Sequence, residues 1–230
     1  MSDKTIGVIL VRSKSKTIKH KNIKKINGVR LINYALSELL KSKICDKIII
    51  SSDSSVYLSI ISKQFPKQIE LFKRSNFNAR DVSSSESSLL EVFKFYKKTL
   101  NDFNNCIFLQ ITSPLVSQID FKNAKKNFNK NRLDSLFTGF RSKKFFWTKT
   151  REKFIPLNYN YYLRPRRQQF NGSIVENGAF YIFNIKKFLK QKNRLFGKIG
   201  CHIMPESRSV EIDNNDDIKL LKFYLNKNNV

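Results

Sequence analysis

The side chains best suited to chemistry begin with Arg12-x-x-Ser15-Lys16-x-x-x-x-Lys21-Asn22, a run of cations and hydroxyls directly after the apolar stretch Thr5-Ile-Gly-Val-Ile-Leu-Val11. An uninterrupted β-branched run of that length reads as a buried parallel strand. Ligands of open α/β sheets bind outside the carboxyl ends of the strands, so this basic turn stands where a phosphate is expected. The same residues would also suit a solvated Lys/Arg loop in a lysine-rich chain. A second group centres on Gln110, inside the apolar run Cys106-Ile-Phe-Leu-Gln-Ile-Thr-Ser-Pro-Leu115. A buried amide needs a partner, and a ligand hydroxyl at the strand's end is one. Pro114 then takes the chain out of the sheet. A third group is Arg164-Pro-Arg-Arg-Gln168, whose forked guanidinium donors suit carboxylates and phosphates.

The elements that must position these groups follow from periodicity. Residues 31–42 read as a helix with Leu31, Ala35, Leu36, Leu39 and Leu40 on one face. A strand over 47–53 turns abruptly polar, and Asp53 or Ser54 can cap a helix running to about Phe65. A shorter strand follows over 69–72. The order βαβαβ predicts a mostly parallel, doubly wound, Rossmann-like α/β sheet covered on both faces. Residues 74–88 are the most loop-like stretch, and Ser83 to Ser85 with Glu86 give a capped start to a helix over 89–100. A helix over 120–128, strands over 135–140 and 179–185, His202 in a strand, and a terminal helix from about Asp216 complete the reading. Between 141 and 162 aromatics alternate with bases. That texture fits either a stacking surface for single-stranded nucleic acid or a protruding β-ribbon packed on a partner subunit.

At 230 residues the chain suits one domain with a proper core. Its formal charge of +26, from 44 Lys+Arg against 18 Asp+Glu, points to anionic partners: nucleic acid, a membrane surface, or phosphate-bearing small molecules. The lysines are scattered along the chain, so most of the excess reads as compositional habit. Cys45, Cys106 and Cys201 lie far apart without metal-ligand spacing, which fits reduced, buried thiols. The first residues show no basic segment followed by an apolar one, and no run approaches a membrane span, so a soluble cytoplasmic protein is expected.

Taken together, the Arg12 to Asn22 pattern, Leu109-Gln-Ile-Thr-Ser-Pro-Leu115, Arg164-Pro-Arg-Arg-Gln168, Glu176-Asn-Gly-Ala-Phe-Tyr181 with Gly172 between them, and Ser209-Val-Glu-Ile-Asp213 resemble the acylneuraminate cytidylyltransferase family, and the Arg164 and Glu176 motifs are especially like those of its animal-type and related bacterial members. The chain departs from the family where most members carry two glycines and it has Ser13 and Lys14, at residues 17–19, often Gly-Pro in the family, and at Glu211, where the family has Asp. The resemblance implies a nucleotide-diphospho-sugar transferase fold that transfers CMP from CTP to the anomeric hydroxyl of a sialic acid or related nonulosonic acid. Arg12, Lys16 and Lys21 would neutralise phosphates as the catalytic cations. Ser15, Asn22, Arg74, Ser85 and Gln110 would bind the nucleotide, Asn22 by reading the pyrimidine edge. Gln110, Arg167, Gln168, Asn177 and Tyr181 would bind the sugar, with Arg167 on its carboxylate, reaching from a neighbouring subunit. Glu211 and Asp213 would hold Mg2+, because residues two apart on a strand face the same side. A single domain over 1–230 with a dimerisation and sugar-binding excursion at 141–175, and a homodimer, complete what the family implies. Neither His20 nor His202 stands out as a general base. Two alternatives stand beside this reading: a cytidylyltransferase for legionaminate, pseudaminate or an octulosonate, and a non-catalytic basic descendant that binds nucleic acid.

Overall fold

The computed structural model describes residues 4–65 and 67–227. The first apolar run forms β1 (Thr5–Val11), buried along almost its whole length. A small hairpin of β2 (Lys25–Ile26) and β3 (Val29–Arg30) leads into α1 (Leu31–Ser42). Next come β4 (Lys47–Ser52), α2 (Ser55–Gln64), β5 (Glu70–Lys73), α3 (Ser85–Phe95) and the short α4 (Lys97–Leu100). The second half runs through β6 (Asn105–Leu109), α5 (Gln118–Lys130), β7 (Ser135–Ser142), β8 (Trp147–Thr150), β9 (Lys153–Pro156), β10 (Ser173–Asn184), α6 (Ile185–Gln191), β11 (Ile199–Ile203) and α7 (Asn215–Lys227).

The main sheet has the order β11-β7-β10-β6-β1-β4-β5. All neighbours pair in parallel except β10, which is antiparallel to both β6 and β7. Alternation along β1 feeds two apolar layers. Ile9 and Val11 pack with α1 and α5 on one face, through Leu36, Leu39, Phe121 and Ala124. Ile6 and Val8 pack with α3 and α6 on the other, through Leu89, Phe93 and Phe188. The mostly parallel, doubly wound sheet is the architecture the periodicity predicts. A third cluster joins Ile18, Leu115, Val210, Ile212 and Leu221, so the loop after β1, the turn after β6 and the segment before α7 share one apolar floor.

Three elements differ from expectation. β10 begins at Ser173 rather than 179, because its first half, where even Ile174 is exposed, is held by pairing with β7 and not by apolar burial. α3 starts at Ser85, since the Ser84 hydroxyl accepts the Ser87 N–H at 3.0 Å and caps it, and the predicted single helix breaks at Tyr96. Glu211 and Asp213 lie in an irregular extended segment, not a strand. Between β7 and β10 the chain leaves the sheet, and β8 and β9 form a separate antiparallel ribbon. Where it returns, Gly172 has φ +74 and a Cβ there would collide with the Ser142 carbonyl, so glycine is required. Among the described residues no helix is long and apolar enough to cross a membrane.

Candidate active site

The loop leaving β1 is fastened before it is charged. Asn22 is buried and donates its amide N–H to the Arg12 carbonyl at 2.8 Å. Lys21 turns inward, its ammonium on the Ile212 carbonyl at 2.8 Å and on Asp213 Oδ1 at 3.0 Å. Arg12 pairs with Asp81 at 2.6 Å, and Lys16 approaches the same carboxylate at 3.5 Å from an open position. Arg12 and Lys21 line a cavity at the carboxyl ends of β1 and β6, the place where an open α/β sheet binds ligands, whereas Lys16, expected among the catalytic cations, is exposed and does not line it. Seven expected residues line it: Arg12, Ser15, Lys21, Asn22, Arg74, Ser85 and Gln110. Thr112 of the Gln110 motif lines it too, as do Asn78, Arg80 and Ser88, which were not singled out in the sequence. Arg80 was a visible cue, a lone cation inside the Ser/Asn-rich loop between Arg74 and Ser85.

Arg74 is 5% exposed and forms part of the cavity wall. One terminal nitrogen donates to Ser88 at 3.4 Å and the other lies 3.8 Å from Asp53, while Nε has no protein partner. Burial lowers its pKa, and the Asp53 and Glu91 carboxylates oppose that shift. A buried donor without an acceptor costs about 1–3 kcal/mol, a local cost the fold carries at the cavity wall.

Across the cavity, burial alternates along Val210, Glu211, Ile212 and Asp213: the two apolar side chains are inside and the two carboxylates outside on one face. The Ile212 N–H donates to the Thr112 carbonyl at 2.8 Å, and the Thr17 hydroxyl donates to the Asp213 carbonyl. Glu211 accepts from Thr112 Oγ1 at 3.4 Å. Although open to solvent on one side, Glu211 has a raised pKa, first from the desolvating protein around it and then from the Asp213 carboxylate. Two hard carboxylate oxygens whose repulsion a cation relieves fit a magnesium ion. Among the described residues they form a pair, not a larger acidic or histidine-bearing cluster, so phosphate and water oxygens would complete the shell.

The two amides expected to bind the sugar part company. Gln110 lines the cavity, its Oε1 2.9 Å from where a Cβ on Gly178 would stand; Gly178, at φ +63, leaves that space open. Asn177, expected to bond the sugar, is instead committed internally. It donates to Ser209 Oγ at 2.8 Å and to Met204 Sδ at 3.4 Å, and accepts the Ala179 N–H at 3.2 Å. Tyr181 is likewise buried away from the cavity wall, its hydroxyl donating to Glu176 at 2.5 Å and its ring stacked on Phe108. Arg167 and Gln168 are exposed and do not line the cavity. Burial pushes the Cys45 thiol up to about 12 and that of Cys201 up to about 11, so neither is a nucleophile at neutral pH.

Residues 6–229 match the sequence pattern of a family described as cytidylyltransferase. N-acylneuraminate cytidylyltransferase A of Danio rerio is 29% identical over 211 residues, which cover 90% of this chain and 47% of its own length. Post-translational flagellin modification protein B of Campylobacter coli is 29% identical over 245 residues, covering 96% of this chain and 95% of its own. The chain thus spans about half the length of the curated N-acylneuraminate cytidylyltransferase from Danio rerio and nearly all of the flagellin modification protein. A solved CMP:2-keto-3-deoxy-manno-octonic acid synthetase complexed with CTP superposes with a TM-score of 0.68 at 12% identity, over 98% of this chain and 99% of that one, which is a likeness of fold. On the match of residues 6–229, this chain belongs to the cytidylyltransferase family.

Proposed function

We propose that the protein transfers CMP from CTP to the anomeric hydroxyl of a sialic acid or a related nonulosonic acid and releases pyrophosphate. The observation that carries this reading is the cavity in which Arg12, Lys21 and Arg74 face Gln110, with Glu211 and Asp213 one hydrogen bond beyond Thr112 and Lys21. The sugar's anomeric oxygen bonds to the α-phosphorus as the bond from that phosphorus to the bridging oxygen breaks; the hydroxyl proton is lost and pyrophosphate departs. The barrier is mainly electrostatic, since an anionic sugar must approach a triphosphate. Arg12 and Lys21 in the cavity and the exposed Lys16 beside Asp81 neutralise that charge, Ser85 and the Arg74 guanidinium in the cavity wall hold the nucleoside end, and Gln110 orients the acceptor. Asn22 acts chiefly by holding the loop carbonyl of Arg12. Glu211 and Asp213 would hold magnesium, which when bound supplies charge neutralisation at the phosphate oxygens.

Arg167 is proposed to meet the sugar carboxylate in the pocket of a second subunit. Support comes from its exposed position and from the exposed apolar side chains of the same excursion, Trp147 and Phe154 on the ribbon and Tyr162 and Leu163 after it, since exposed apolar groups of this size mark interfaces. Residues 141–175 would then be the dimerisation excursion of a cytoplasmic homodimer. The test is pyrophosphate release from CTP and magnesium with N-acetylneuraminate, legionaminate, pseudaminate, an octulosonate and no sugar. Sugar-dependent release establishes the reaction and names the acceptor. Silence with every sugar in folded protein overturns it and turns attention to RNA binding across a salt series.

A further inference from the structure

The loop from Arg12 to His20 contains no glycine, and within it only His20 adopts a positive φ, 54°. Its shape therefore rests on side-chain contacts, and beside those of Arg12 and Lys16 with Asp81 and of Thr17 with Asp213, the contacts of its two ends, Ser13 and His20, meet at the start of α2. Asp53 accepts both the backbone N–H of Ser13 at 2.8 Å and the Ser13 hydroxyl at 2.5 Å. One turn later Tyr57, 3% exposed, donates its hydroxyl to the Ser13 carbonyl at 3.1 Å. That hydroxyl has one proton, so the His20 Nδ1 lying 3.0 Å from it must be the donor in the second contact. All of Ser13's polar groups are thus satisfied by two residues, and the same tyrosine holds the loop's far end. Asp53 also faces Arg74 of the cavity wall at 3.8 Å, while Ser54 caps α2 and fixes the turn that carries both residues.

We infer that Asp53 and Tyr57 are positioning residues that brace the phosphate loop at both ends and set its distance from Arg74, so that the loop holds its shape without glycine. The inference rests on the assignment of this cavity to CTP. Neither residue touches substrate; both act through Ser13, His20 and Arg74. Asp53→Asn and Tyr57→Phe are each expected to raise KM for CTP about tenfold, the effect of losing a charged or buried hydrogen bond, with KM for the acceptor sugar unchanged. A residue with a merely structural role would instead lower the melting temperature and the amount of active protein without dividing the two KM values. Equal KM for CTP in wild type and in both variants overturns the brace, and so does a matching rise in both KM values. Hydrogen exchange at the Ser13 amide supplies a readout that needs no CTP. It is expected to be slow in wild type and faster in Asp53→Asn, and an unchanged rate overturns the brace. A wild type that shows sugar-independent silence but a slowed Ser13 amide would sink the proposed function and leave the brace standing.

Discussion

Burial raises the pKa of Glu211 above its ordinary 4.5 and the Asp213 carboxylate raises it further, while Thr112 and Lys21 pull it back. A carboxylate with a raised folded-state pKa weakens the fold at every pH above that value. The penalty disappears as pH falls through the folded value toward 4.5. Glu211→Gln should therefore melt higher than wild type at pH 7 without metal, with the gap closing in acid. Added magnesium should raise the melting temperature of wild type more than that of the variant. Equal melting at pH 7, or equal magnesium response, would count against the assignment. At this scale the residue type was legible and its commitment was not. Gln110 and Asn177 carry the same amide and both sit beside family-like motifs, yet the fold leaves one facing the cavity and surrounds the other with Ser209, Met204 and the Ala179 N–H.

The acid-bearing segment owes its place to a clamp between elements. Asp120, in the first turn of α5, accepts from Ser117 at 2.7 Å, from His202 of β11 at 3.2 Å and from both terminal nitrogens of Arg208. Burial alone would raise its pKa; the His202, Arg208 and Ser117 hydrogen bonds outweigh that and hold it well below the usual carboxylate range. A depressed carboxylate stabilises the fold above its unfolded value of 3.8, and the contribution is lost as pH falls toward the folded value. Asp120→Ala is expected to cost about 3 kcal/mol at neutral pH, as breaking a buried ion cluster does. The difference from wild type, measured by denaturant unfolding, should shrink below pH 3.8; a pH-independent difference would refute the charge account. Helix periodicity made α5 readable, but Asp120 and Arg208 are far apart in sequence, and no local pattern pairs them. The little-buried first half of β10 was hidden for a related reason: it is stabilised by ladder bonds to β7, and a ladder leaves no mark on hydropathy.

For the whole molecule, Arg167 does not line its own chain's cavity, and the proposal that it serves the pocket of a second subunit makes a prediction about subunit exchange. Lys21→Ala and Arg167→Ala proteins should each be nearly inactive. Mixed and allowed to exchange subunits, they should recover about a quarter of wild-type turnover, because half the dimers formed by random pairing are mixed and each of those carries one intact site. No recovery from exchanged subunits would place Arg167 and Lys21 in the site of one subunit and overturn the shared-site proposal. Replacing the exposed Trp147 and Phe154 with lysine should yield a monomer by light scattering, with activity lost alongside.

The motifs and their order were set by covalent spacing. A basic turn after a β-branched strand, glutamine and proline at the end of another, and alternating acids after a buried valine are local patterns, and local sterics and solvation read them the same way in any context. Seven of the expected ligand-facing residues accordingly gather in one cavity. Which amide is free, which carboxylate meets which cation, and whether a glycine-free loop can hold its shape depend on contacts between residues tens of positions apart. Asp53 to Ser13, Asp120 to Arg208 and Asn177 to Ser209 are such contacts. Each exists only once the sheet has brought distant turns to the same edge, which is why the tertiary structure had to decide them.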